Sequence, residues 1–431
     1  MTLPPESRSS LIWALSALVC CGCGEASTSG HGSQVPSAGN PGSAGNGFDA
    51  GAGGLTEAGG AETGGAAVGT AGGPAGSSGV QDSAGSAGVA PIATLPFVYV
   101  GSTNGQISIF KIDSALGKLT LVKSVSAGNY PSFAAFDPAL LHLYAVNEPD
   151  GKVAAFSVDS RTGDLTFLNR VDSGGAGPAF VSVDHSGKFV LVANYDAGTT
   201  RVFPIAADGS LGSPSDDKSP GMNSHMILTD PANKFAFVMN LGSNTISQYV
   251  FDATKGKLTP NAVPSVMTAL GAGPRHLAFH PNGKYAYLIA ELDDTLSAYS
   301  YDPLLGQLTF LESKSTLPTG ASGAANTCAE VVVAPSGKFV YGSNRGHDSI
   351  VRFSIDPATG KLTFIDTTPS GGNVPRSFTI STDGTLMLVA NESGNVTSFS
   401  VDTKTGALTK LLSLEVPQKP QFVGIANFPV K

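Results

Sequence analysis

Residues 105–120 read GQISIFKIDSALGKLT, and the same pattern returns six more times along the chain. It reads GKVAAFSVDSRTGDLT from Gly151, GTTRVFPIAADGSLG from Gly198, NTISQYVFDATKGKLT from Asn244 and DTLSAYSYDPLLGQLT from Asp294. The last two copies are DSIVRFSIDPATGKLT from Asp348 and GNVTSFSVDTKTGALT from Gly394. Each alternates apolar and polar residues for about seven positions, turns at a Gly and resumes at a Leu. That is a β-hairpin with one buried face. Ahead of six copies lies a second hairpin, as in RHLAFHPNGKYAYLIAE from Arg275 and AEVVVAPSGKFVYGSNR from Ala329, which makes four strands per repeat.

The turn centres of these leading hairpins fall at Leu140, Gly187, Asn233, Gly283, Gly337 and Gly384, so the period runs 47, 46, 50, 54 and 47. Four strands at such a period are the blades of a propeller, not the units of a helical solenoid. The expected fold is all-β: a seven-bladed β-propeller of four-stranded antiparallel blades. The first unit, FVYVGS from Phe97, lacks an inner strand, and QFVGIANF from Gln421 can supply it. Pairing of the N- and C-terminal strands would then close the ring and remove its open edge.

The rest of the chain sets the boundaries. Gly, Ala and Ser dominate residues 24–93, where apolar residues are too sparse to offset the entropy of ordering, so that stretch is expected to be a disordered linker. Before it stand Arg8, an apolar run from Leu11 to Val19, and Cys20, Cys21, Gly22 and Cys23. The run is shorter than the roughly 20 residues that span a bilayer and reads as a signal peptide over residues 1–23. A cysteine after such a run, followed by a long polar tether, resembles a bacterial lipoprotein. Lipidation at Cys21 or Cys23 is therefore expected, with an exported, lipid-anchored product in the periplasm or on the outer surface of a bacterial envelope. The propeller, residues 95–431, holds only Cys328 and so has no disulfide framework. At about 330 residues it is large enough to stand on its own core as a monomer. A net charge of −8 argues against nucleic acid or an anionic membrane surface as the main partner.

Two columns of the repeat carry its exceptions. Eight residues before each turn centre stand Ser132, Ala179, His225, Arg275, Ala329 and Arg376; eight after it stand Glu148, Tyr195, Leu241, Glu291, Arg345 and Glu392. Folding each hairpin about its centre sets the two columns opposite each other on one rim of the ring. Arg275 then faces Glu291, and Arg376 faces Glu392. His225 and Arg345 hold equivalent places in the flanking blades, so these four, His225, Arg275, Glu291 and Arg345, are expected to converge near the axis. Cross-strand Arg/Glu pairs also arise with no function and contribute roughly 0–1 kcal/mol when exposed, a reading that suits Arg376 and Glu392 better than Arg275 and Glu291. Strand alternation turns His276 away from Arg275, into a packing or hydrogen-bonding role. His185 and His280, near turns on the opposite rim, and Cys328 read as structural. The chain has no zinc-ligand pair at helical spacing, no Gly-rich phosphate loop and no Gly-x-Ser-x-Gly elbow, so no metal, cofactor or covalent serine chemistry is expected.

The stretches GPRHLAFHPNGKYAYLIAEL from Gly273, VANYDAGTTRVFPI from Val192 and YGSNRGHDSIVRFSIDPATGKL from Tyr341 resemble the lactonase-type β-propellers. That family includes bacterial 6-phosphogluconolactonases and fungal carboxy-muconate cyclases, and the resemblance runs from about Leu95 to Lys431. It implies a site of one His, two Arg and one Glu on the channel rim, which fall on His225, Arg275, Arg345 and Glu291. The implied reaction is hydrolysis of a sugar-type lactone. Glu291 or His225 would take the proton of the attacking water, and Arg275 would stabilise the oxyanion. Arg345 would clamp a phosphate or carboxylate of the substrate, with Arg376, Tyr195 and Glu392 as further substrate contacts. Pairing with Arg275 would weaken Glu291 as a base, which favours His225. Where family members often read Pro-His-x-His, this chain has Met222, Asn223, Ser224 and His225, and Asn240 stands where Asp often precedes Leu-Gly; both departures bear on substrate recognition. Two other readings stay open: a non-catalytic envelope propeller that binds a ligand or protein, and a cycloisomerase of the muconate-cyclase type.

Overall fold

The computed structural model describes residues 94–429; the expected signal segment with Cys21 and Cys23, and the expected linker, lie outside the described residues. The repeats form seven four-stranded antiparallel sheets. Blade 5 is typical, with strands Pro274–Phe279, Tyr285–Ala290, Thr295–Asp302 and Gln307–Ser315 running outward from the axis. Among the described residues the only helical element is one 3₁₀ turn, Glu148–Asp150.

Local sequence accounts for the blades. The second strand of a blade is mostly apolar, as in YAYLIA from Tyr285, because it is covered on both faces by neighbouring blades; in blades 2, 3, 4 and 7 it ends in a buried Asn, as in FVLVAN from Phe189. The outermost strands alternate buried and exposed residues or face solvent. Each turn centre named above adopts left-handed backbone, including Leu140 at φ 57 and Asn233 at φ 58; a glycine there is free of strain, whereas Leu140 is not. Blades are also tied across their boundaries. The buried phenols of Tyr99, Tyr144, Tyr287 and Tyr341 donate to the carbonyls of Gly163, Gly209, Gly360 and Gly406, each a turn glycine of the next blade.

Ring closure follows the sequence expectation. Pro420–Pro429 is the innermost strand of blade 1 and pairs antiparallel with Thr94–Ser102, from Thr94 opposite Pro429 to Ser102 opposite Pro420. Phe422 from this strand joins Phe133 and Phe180 of blades 2 and 3: Phe133 stacks on Phe180 at 4.2 Å and meets Phe422 edge-on at 5.2 Å. His276 of blade 5 meets both Phe133 and Phe180 edge-on. Side chains from opposite sides of the ring therefore touch, and the axis is packed beneath the rim.

Candidate active site

The rim is shaped by a bulge repeated from blade to blade. In the innermost strand the register slips between Pro178 and Phe180, Ser224 and Met226, Pro274 and His276, and Pro375 and Ser377. In blade 6 it slips further, between Cys328 and Val331. The residues left outside the ladder are Ala179, His225, Arg275 and Arg376, with Ala329 and Glu330 in blade 6. A bulge frees its extra residue from pairing and re-aims the side chains around it. The two rim columns are thus not ladder partners; Pro274 pairs with Ala290, and Glu291 lies one residue beyond.

Side chains close that gap. Arg275 Nε lies 2.8 Å from Glu291 Oε2, off the N–H direction, so the contact is an ion pair rather than an aligned hydrogen bond. Arg345 Nη2 lies 2.8 Å from the other oxygen, Oε1. Each guanidinium also donates to backbone at the blade 6 bulge: Arg275 Nη1 to Ala329 O at 2.6 Å, Arg345 Nη2 to Cys328 O at 2.9 Å. One carboxylate thus bridges two arginines from neighbouring blades. Arg345 Nε is enclosed and has no partner.

His225 completes the group. It lines a small cavity of about 10 Å³, room for roughly one water, together with Arg275, His276, Glu330, Arg376 and Gln421. Its ring meets Tyr195 edge-on at 5.5 Å and His276 at 5.1 Å. Four of the predicted residues, His225, Arg275, Glu291 and Arg345, therefore converge as the repeat comparison anticipates, and Tyr195 stands with them. Arg376 and Glu392, 3.7 Å apart, sit on the blade 7 side of the axis. The packing and hydrogen-bonding role read for His276 holds, with its ring edge-on to Phe133 and Phe180, but its placement away from Arg275 is corrected. The bulge places it with Arg275 on the cavity wall, where its Nδ1 meets Glu330 Oε1 at 2.8 Å.

The charges set the protonation states. Burial alone would raise the Glu291 carboxyl, but Arg345 and then Arg275 outweigh it, and its pKa falls below the ordinary carboxylate value. Glu291 is therefore an anion and a weak base. Burial, followed by Arg275, His276, Arg376 and Arg345, pushes His225 well below the usual imidazole range, so it is neutral at physiological pH. Burial lowers Arg275 to about 10, which leaves it cationic at neutral pH. For Arg376 burial is outweighed by Glu148, Tyr130 and Glu392, and its pKa rises.

Glu291 makes a testable contribution to acid stability. Its folded pKa is depressed, so the stabilisation is present above the unfolded value of about 4.3 and is lost as pH falls through the lower folded value. Denaturation followed from pH 6 downward should show Glu291→Gln less stable than wild type near neutrality, with the two curves converging in acid. Parallel curves would show that Glu291 carries none of this dependence.

Several residues of the candidate site were passed over or, like His276, given no place in it by the sequence reading. Glu330 and His276 line the cavity; Tyr130, in left-handed backbone at φ 53, donates to Gln421 Oε1 at 2.9 Å beside Arg376 and Glu392. Extending the blade comparison by one column would have exposed the first two. The residues seven before each turn centre are Phe133, Phe180, Met226, His276, Glu330 and Ser377, and an imidazole and a carboxylate stand out there. Of the two unusual asparagines, Asn223 donates to Tyr195 O at 3.3 Å and so belongs to the rim beside His225. Asn240 is fully buried and bonded to Ser224, Thr245 and Ser247, which makes it part of blade 4 packing. Cys328 is buried, with its thiol pushed up to about 12 by burial, and it contacts Thr316. Among the described residues no three His, Cys, Asp or Glu side chains gather as metal ligands, and no helix is long and apolar enough to cross a membrane.

Comparison with known proteins places this geometry. Residues 97–423 match the family model described as lactonase, 7-bladed beta-propeller. The chain is 36% identical over 250 residues to a 6-phosphogluconolactonase of Bacillus subtilis, covering 56% of this chain and 70% of that protein. It is 29% identical over 330 residues to a 6-phosphogluconolactonase of Serratia proteamaculans, covering 76% and 98%. The solved structure of a periplasmic gluconolactonase from Pseudomonas aeruginosa superposes with a TM-score of 0.72 at 26% identity, over 78% of this chain and all of that one (100%).

Proposed function

The chain belongs to the lactonase family of seven-bladed β-propellers, and from that premise we propose that it hydrolyses a sugar-type lactone on the rim of the ring, without a metal. One observation carries the reading: two guanidiniums share a single carboxylate beside a neutral, buried imidazole. Lactone opening needs a base for the water and fixed positive charge where the carbonyl oxygen becomes anionic. The Arg275–Glu291–Arg345 triad holds both guanidiniums in place before substrate arrives. Arg275 stabilises the oxyanion, and the Arg345 guanidinium, 12% exposed at its side chain, binds a carboxylate or phosphate of the substrate. Glu291 orients the arginines and is too acidic to take the proton itself. His225 takes it, and Tyr195 supports the His225 ring. Arg376 and Glu392 contact the far end of the substrate.

The relatives include both 6-phosphogluconolactonases and a periplasmic gluconolactonase. An N-terminal signal with Cys21 or Cys23 lipidated would put this chain in the envelope, where an unphosphorylated lactone is the better fit, since fold alone does not carry substrate identity. Acid release from a panel of aldonolactones, with and without a phosphate, tests the proposal. Wild type should open at least one, and His225→Ala should lower its kcat by about 10²-fold or more. Background rates for wild type on every lactone would end the proposal, and turnover of a muconate-type acid instead would replace it with the cycloisomerase reading.

A further inference from the structure

Two buried imidazoles end in nitrogens without partners, and both line the axial cavity. His276 donates from Nδ1 to Glu330 Oε1, and since a carboxylate only accepts, the neutral ring carries its lone pair on Nε2. That Nε2 is enclosed and unpartnered. His225 Nδ1 is likewise enclosed and unpartnered, and the residue as a whole keeps 6% exposure. The ring centroids lie 5.1 Å apart. Both rings line one cavity, and behind His276 stands the Glu330 carboxylate on its Nδ1. We propose that His276 and Glu330 form a proton store behind His225, so that the proton taken from the hydrolytic water comes to rest on His276, paired with the Glu330 carboxylate.

The inference rests on the hydrolysis reading for its use of the proton, and it answers a difficulty in that reading. A proton held on His225 would face Arg275, Arg376 and Arg345 in a buried setting. Burial lowers His276 too, and Arg275 across the same cavity, which His225 and Arg376 also line, adds to that, but Glu330 stands directly against it and Glu291 also favours its charged form. Its pKa is thus lowered with two carboxylates opposing, where His225 has none. Glu330 is fixed in turn: its Oε1 accepts from Val331 N–H at 3.1 Å, and its own N–H donates to Ser343 Oγ at 3.0 Å. The proton balance is simple. The water oxygen bonds to the acyl carbon as His225 Nε2 takes a water proton and His225 Nδ1 passes its own proton to His276 Nε2 through one water in the cavity between them, since the two nitrogens share no direct hydrogen bond. The ring C–O bond then breaks, the shuttle reverses, and the departing alkoxide is protonated to a hydroxyl. His276 and Glu330 act through His225 and do not touch the substrate.

The isosteric Glu330→Gln in the full-length chain tests this, because the amide keeps a hydrogen bond to His276 and removes only the charge. With the lactone that wild type opens best, kcat should fall about 10- to 100-fold with KM within about 2-fold. The anion favours protonated His276, so its loss should move the acid limb of the kcat/KM profile to lower pH. A lower melting temperature with an unmoved acid limb would mean that the pair is only a staple between blades 5 and 6, and would overturn the proposal. A second readout needs no activity. In ¹⁵N spectra of the histidine-labelled protein, assigned through single His→Gln variants, the first proton added as pH falls should appear on His276 in wild type, and that preference should vanish in Glu330→Gln. First protonation of His225, or no effect of Glu330→Gln, would overturn the store. Failure of wild type to open any lactone would count against hydrolysis, while the order of protonation would still decide the relay.

Discussion

A chain ended at Lys419 is expected not to fold as a monomer. The segment it loses, Pro420–Pro429, is the innermost strand of blade 1, and four of its residues are nearly fully enclosed: Phe422 at 7%, Val423 at 2%, Ala426 at 1% and Phe428 at 1% exposure. Burying a large apolar side chain contributes roughly 1.5–3 kcal/mol, so Phe422, Val423 and Phe428 together account for about 5–9 kcal/mol. That is comparable to the whole stability of a typical domain, about 5–15 kcal/mol. The loss also uncovers the edge of Thr94–Ser102, a ready template for pairing with another chain, and removes Phe422 from the aromatic packing at the axis. Size-exclusion chromatography and thermal melting should find the truncated protein aggregated or without a cooperative transition. A monomer that melts like the full chain would show that the terminal strand does not lock the ring.

The second large effect is expected from Arg275→Ala. Loss of a single oxyanion donor lowers kcat about 10²- to 10³-fold, and Arg275 also holds Glu291 and the Ala329 carbonyl. Removing one member of a buried ion pair costs about 3–5 kcal/mol, because its partner is left uncompensated. Here Glu291 keeps Arg345, which places the loss towards the lower end of that range. Arg275→Lys restores a charge but not the planar fork that reaches Glu291 and Ala329 together, so it should recover stability better than activity. Steady-state kinetics beside chemical denaturation separates the two effects. An Arg275→Ala protein with wild-type kcat would remove Arg275 from the chemistry.

The repeat made the architecture legible from sequence: blade number, strand number, turn centres and terminal closure all follow from alternation and spacing. The site was legible in part, for the same reason. Comparing equivalent positions brought out His225, Arg275, Glu291 and Arg345, because a charge on a column that is otherwise small or apolar is visible without coordinates. The bulge was not visible, since it depends on which backbone groups pair and not on residue type. Strict alternation therefore put His276 on the wrong face and passed over Glu330, where blade 6 leaves two residues outside the ladder instead of one. Tyr130 escaped because its left-handed backbone, unusual for a bulky residue, turns it toward Gln421.

The central claim is that one rim pocket, built by His225, Arg275, Glu291 and Arg345, receives the lactone. A crystal structure of the full-length protein with the hydroxy acid formed from its best lactone tests this most directly. The account predicts the product carboxylate within hydrogen-bond reach of Arg275, its acyl carbon facing His225, and any second anionic group on Arg345. A product held elsewhere, such as in the groove lined by Asp196, Ser219, Met222 and Ser243 between blades 3 and 4, with all four residues out of reach, would contradict it.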